Sequence, residues 1–161
     1  MGFIVISVIS LKKLEERFIA FLITVAIVVG FMQVTSRFIF KSSLPWSEEL
    51  LRFVFIWVTF LGASVAVREK AHVSVSVLLH KLPVPFQKAG IVAGLLFSIG
   101  FCGAIVYYGM QIITVQVLTN QLSTAMEIPM WLPYLGVVVG SFMMAIRFLQ
   151  NLISLLTEQG N

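Results

Sequence analysis

Four long apolar runs, separated by short stretches that hold most of the charge, organise this 161-residue chain. The runs extend from Phe18 to Thr35, from Leu50 to Val67, from about Ala89 to Leu118 and from about Pro129 to Leu156. A helix needs roughly 20 residues to cross the ~30 Å hydrocarbon core of a bilayer, and each run reaches that length with its polar ends included. The last two approach about 30 residues, or ~45 Å of helix, so they must tilt or protrude. The pattern predicts an all-α membrane protein. It forms a single integral membrane domain, residues 1–161, with four transmembrane helices near 14–37, 47–68, 86–118 and 129–157.

Two stretches lie outside those helices. Between the second and third runs, Val73, Val75 and Val77 alternate with Ser74 and Ser76, which reads as a strand. A lone strand at a membrane has no partner for its backbone groups. Read as a helix, the segment puts Ala71, Val75, Leu78, Leu79 and Leu82 on one side and His72, Ser76 and His80 toward another. The expected form is a short amphipathic helix at the interface, residues 72–82, ended by Pro83 and Pro85. Residues 3–11 are apolar but too short to span. Lys12 and Lys13 follow them, the reverse of a cleavable signal peptide. They read as an interfacial lead-in to the first helix or as its extension.

Composition fixes the solvent. The chain is 59% hydrophobic and 11% charged, against about 25% charged in a soluble domain. A globule of this size cannot bury so much apolar surface, so lipid must cover it. The net charge of +4 is not a nucleic-acid footprint, because the basic residues sit in the gaps between runs, where they set orientation. With the N-terminus in the cytoplasm, Lys12, Lys13, Arg17, Arg68, Lys70, Lys81, Lys88 and Arg147 fall inside, and Arg37, Lys41 and Arg52 fall outside. That bias predicts cytoplasmic N- and C-termini. Trp46 and Trp131 are expected as anchors at the outer interface, and Arg68, His72 and Lys81 at the inner one.

Candidate chemistry is sparse. A path for a polar solute needs ionisable groups at mid-membrane depth or a broken helix, and the runs offer neither. Arg147 sits about two turns before a helix end and can snorkel. His72 and His80 share one interfacial segment, so they cannot face each other as axial haem ligands. The single cysteine, Cys102, is embedded in an apolar stretch and reads as a small buried hydrophobe. No catalytic triad, phosphate loop or metal-ligand spacing is present. The chain is expected to be no enzyme and to need no cofactor. A membrane anchor subunit of a redox complex is the alternative class.

The remaining signal is the mouth of the second helix, Pro45-Trp46-Ser47-Glu48-Glu49-Leu50-Leu51-Arg52. Charges beside a bilayer are costly and usually have a role. At 3.6 residues per turn, Glu48, Arg52, Phe55, Thr59, Gly62, Ala63 and Ala66 share one side, and Leu50, Phe53, Trp57, Phe60 and Leu61 the other. Small residues admit another helix, so the first face is expected to meet protein and the second lipid or a looser contact. Glu48 precedes Arg52 by four residues, a favourable pair. Glu48, Glu49, Arg52, Thr59, Gly62 and Ala63 are thus candidates for a subunit-interface or helix-entrance lock. A plain helix cap with a local ion pair is the simpler reading. Gly90-xxx-Gly94, Gly100-xxx-Ala104 and Gly136-xxx-Gly140 are close-packing signals.

Two segments carry a family resemblance. One is Trp46-x-Glu48-Glu49-Leu50-x-Arg52, continuing through Trp57, Phe60-Leu61-Gly62-Ala63, Ala66, Arg68 and His72-Val73. The other is Ser123-Thr124-Ala125-Met126-Glu127-Ile128-Pro129-Met130-Trp131. On these the chain resembles the small membrane subunit (DctQ- or SiaQ-like) of tripartite ATP-independent periplasmic (TRAP) transporters. The resemblance implies a noncatalytic scaffold in the bacterial inner membrane, part of a sodium-driven importer of organic acid anions such as C4-dicarboxylates or sialic acid. It further implies a separate large permease subunit that holds the sodium and substrate sites. A periplasmic substrate-binding protein and the surrounding membrane lipid complete the implied partners.

Overall fold

Helix is the only extended secondary structure among the described residues. The computed structural model describes residues 2–42, 44–69 and 84–157. These form α1 (Gly2–Ile39), α2 (Pro45–Arg68), α3 (Val84–Leu118) and α4 (Trp131–Thr157). Each contains a segment long and apolar enough to cross a membrane, as an all-α, multi-pass membrane protein requires. The apolar N-terminal stretch continues α1 without a break. The amphipathic helix expected over 72–82, with His72 and Lys81, lies outside the described residues.

Local chemistry sets the helix ends. α2 opens with Pro45 in its first turn, where a missing N–H costs nothing. Glu48 sits in that turn, facing the positive end of the helix dipole. The backbone N–H and the hydroxyl of Ser47 both donate to the Leu44 carbonyl, at 3.0 and 2.7 Å. After α3, Asn120 takes a left-handed conformation (φ 49°), which a short polar side chain tolerates. The chain then folds back on itself. Leu122 and Pro129 form an isolated antiparallel bridge, with Ser123 N–H donating to the Ile128 carbonyl and Met130 N–H to Gln121. Pro129, expected to open the last helix, is held in this turn, and α4 starts at Trp131.

The helices stand in an open row. Among the described residues α1 packs on α2, α2 on α4 and α4 on α3. α2 and α4 are the inner members, and α4 buries the largest share of its span. Trp46 and Trp131 lie at one end of the row and Arg68 and Arg147 toward the other, called here the tryptophan end and the arginine end. At the arginine end Val67, Cys102 and Phe148 form a buried cluster from three helices.

Two glycines on α4 set its distance from α2. A Cβ at Gly140 would lie 2.6 Å from Phe60 Cβ and 2.7 Å from the Phe60 backbone carbon; one at Gly136 would lie 2.8 Å from the Trp57 ring. Trp57 and Phe60 therefore fill notches in α4, and Leu61 beside them is buried. This corrects one of the two faces expected from the helical wheel. The aromatic side of α2, expected to meet lipid or a looser contact, packs tightly on α4. The small-residue side carrying Thr59 and Gly62 stays open. The cause is that the small partners stand on α4 rather than α2. On α3 the expected Gly100 motif is also open, with no atom within 4 Å of a Cβ at Gly94 or Gly100, whereas a Cβ at Gly109 would lie 2.6 Å from Val138 Cγ2.

These notches have a measurable consequence. Gly140→Ala pushes a methyl into rigid backbone and is expected to destabilise the fold by about 1–3 kcal/mol, the usual cost of overpacking. Gly100→Ala should change little. Cys102 is the only cysteine and is buried, so its reactivity with a fluorogenic maleimide on heating reports unfolding directly. The Gly140→Ala midpoint should fall and the Gly100→Ala midpoint should match the parent.

Candidate partner-binding groove and the charged clamps around it

At the tryptophan end, the open face of α2 and the adjoining face of α1 enclose a groove of about 540 Å³. Its polar lining is Gln33 from α1 with Glu48, Arg52 and Thr59 from α2. Its apolar lining is Leu51, Phe55, Ile56 and Phe60. Phe55 is 58% exposed, so the groove opens outward. The helical rise puts Arg52 roughly 10 Å into α2 from its first residue, beside the apolar Phe55 and Ile56 of the same wall.

The lock residues expected on this helix have separate jobs. Glu48 accepts a hydrogen bond from Gln33 Nε2 at 3.2 Å, which ties α2 to α1. The expected Glu48–Arg52 pair does not form, and among the described residues Arg52 makes no salt bridge. Thr59 is exposed on the groove wall, and Gly62 has open space where a Cβ would stand. Ala63 is half-buried beside it. Glu49 points the other way. It is 8% exposed, and its Oε2 accepts the backbone N–H groups of Ala125 and Met126, each at 3.0 Å. One carboxylate thus satisfies two donors of the turn between α3 and α4 and fastens that turn to the mouth of α2. Trp46 is exposed. Trp131 is half-buried as the first residue of α4.

A second charged assembly occupies the arginine end. Glu15 Oε2 accepts from Arg147 at 2.6 Å and from Arg68 at 3.3 Å. Arg68 also donates to Glu16 at 2.6 Å, and Arg147 to the Ser64 hydroxyl at 2.7 Å. Three helices meet there, with Glu15 8% exposed. Arg68, expected as an interfacial anchor, is a cross-helix ion pair, and Arg147 points into the protein instead of snorkelling. Sequence reasoning passed over Glu15 because it falls just before the first apolar run. The available signal was a lone Arg147 inside α4, which in lipid needs a partner.

The comparisons with known proteins agree with this architecture. A family described as "Tripartite ATP-independent periplasmic transporters, DctQ component" matches residues 26–158. The chain is 34% identical to a putative TRAP transporter small permease protein of Haemophilus influenzae, over 89% of this chain and 87% of that protein. It is 32% identical to the C4-dicarboxylate TRAP transporter small permease protein DctQ of Rhodobacter capsulatus, over 87% and 75% of the two chains. It is also 31% identical to the isethionate TRAP transporter permease protein DctMQ of Oleidesulfovibrio alaskensis, over 66% of this chain but only 17% of that much longer protein.

The Glu49 geometry predicts a local effect. Hydrogen bonds to a charged acceptor contribute about 1.5–3 kcal/mol each, so Glu49→Ala should speed amide exchange at Ala125 and Met126 by at least about tenfold. Glu48→Gln should leave those amides unchanged. Hydrogen–deuterium exchange of peptides covering 120–130 reads both variants.

Proposed function

The chain belongs to the DctQ family of small TRAP permease subunits, and from that premise we propose that it is the noncatalytic scaffold of a sodium-driven importer of organic acid anions. The observation that carries the reading is the groove between α1 and α2, with Arg52 exposed on its wall and making no salt bridge among the described residues. A guanidinium at a membrane-facing surface is costly unless protein covers it. A large permease subunit, as a separate chain, supplies that cover. The long DctMQ relative supports this, since it carries the similar region as a small part of one permease protein.

The distribution of charge supports a role without translocation of its own. Among the described residues, Glu, Lys and Arg stand toward the two ends of the row, with none at its centre. The sodium and substrate sites therefore belong to the large permease, and substrate capture to a periplasmic binding protein. C4-dicarboxylates or sialic acid are the proposed substrate classes. The basic residues orient the subunit in the bacterial inner membrane with both termini in the cytoplasm, which places the groove toward the periplasm.

Copurification tests the interface. Arg52→Ala should reduce recovery of the large permease and substrate uptake severalfold, whereas Lys81→Ala should leave both near the parent. Unchanged recovery and uptake in Arg52→Ala would remove the groove from the interface. The purified chain alone in liposomes should give no substrate-dependent sodium uptake, and any such uptake contradicts the scaffold reading.

A further inference from the structure

α1 touches the rest of the row at few places. Among the described residues its packing is with α2 alone, and its apolar surface is mostly exposed. Its link to α4 is the Glu15–Arg147 pair at 2.6 Å. Glu15 uses one oxygen for both Arg147 and Arg68, while its buried Oε1 has no hydrogen-bond partner among the described residues. The carboxylate is therefore held by its two arginines. Removing it leaves Arg147 with only the neutral Ser64 hydroxyl, while Arg68 retains Glu16. A buried charge stripped of its counter-charge is the costly state, whereas loss of both partners is tolerated.

We infer that Glu15 is the positioning residue of α1: through Arg147 and Arg68 it fixes the angle at which α1 stands against α2, and so places Gln33 as the α1 wall of the groove at the far end. Glu15 precedes the residues matched by the family, which begin at position 26. It acts without touching the groove. α1 runs unbroken between Glu15 and Gln33, about 27 Å apart at 1.5 Å per residue, so a change of angle at one end is carried to the other.

The test uses the full chain in lipid nanodiscs, with Cys102→Ala as background. Spin labels go on Leu14→Cys and Leu149→Cys for the arginine end, and on Phe38→Cys and Leu118→Cys for the tryptophan end; all four native side chains are exposed. Pulsed electron-spin distance measurements read each pair. Glu15→Gln should broaden both distance distributions roughly twofold as α1 samples more than one orientation. Glu15→Gln/Arg147→Gln, which removes the stranded charge, should return both toward the parent. Glu16→Gln should match the parent, because among the described residues Glu16 pairs with Arg68 and not with Arg147. The inference is overturned by unchanged distributions in Glu15→Gln, by broadening confined to the arginine end, by a double variant as broad as the single one or equally unable to fold, or by Glu16→Gln behaving like Glu15→Gln. The readout needs no partner, so failure of the Arg52 copurification result leaves this inference standing, and the reverse holds too.

Discussion

The approach of α2 to α4 is the contact on which the rest of the row depends. In lipid a side chain gains little by leaving an apolar solvent for an apolar interior, so helices associate through close packing and polar contacts. Trp57 and Phe60 achieve that density only because Gly136 and Gly140 present no Cβ. With α2 seated on α4, its opposite face points away from the row, and the groove exists on that face. The same seating brings Ser64 within 2.7 Å of Arg147 and puts Val67 beside Cys102 and Phe148.

The two charged assemblies then divide the work by position. Glu49 acts between α2 and a turn, and its partners are neutral backbone N–H groups. Its loss is a local event on the scale of two hydrogen bonds. Glu15 acts between helices, and its partners are full charges. Removing one member of a buried ion pair costs about 3–5 kcal/mol, a large share of the roughly 5–15 kcal/mol margin of a folded protein. Glu48 and Arg52 sit on the remaining face, where Glu48 accepts the Gln33 hydrogen bond. Of the three charges that open α2, one is used for folding, one for seating α1, and one is left to the surface.

Much of this was legible in the sequence, and the failures share one cause. The number of helices and their apolar character follow from run length alone, because a bilayer sets a minimum span that composition either meets or does not. The mouth of α2 was also legible as unusual. The helical wheel, however, sorted α2 by the size of its own residues, and packing between helices is a property of pairs. Large residues on α2 meet small ones on α4, so the face with bulky side chains is the buried one. The same limit hid Glu15. It stands at the edge of an apolar run and looks solvated until Arg68 and Arg147, 53 and 132 positions away, are brought beside it. Glu49 looked like half of a local cap for the same reason, since its partners are 76 and 77 positions distant.

An open row rather than a closed bundle also bears on what such a subunit can do. A closed four-helix bundle buries its apolar stripes internally and offers its outside to lipid. Here only α2 and α4 are flanked on two sides, and α1 and α3 form edges. An edge helix in lipid is stable by itself but holds its angle poorly, because the lipid opposes no particular orientation. A scaffold must present a fixed surface to a moving partner, so its edges need constraints that apolar packing does not supply. Directional polar contacts satisfy that need at α1, with the Gln33–Glu48 hydrogen bond at one end and the ion pairs of Glu15 with its arginines at the other. Polar residues are thus spent where packing is weakest, and the apolar centre of the row is left to glycine and aromatic side chains.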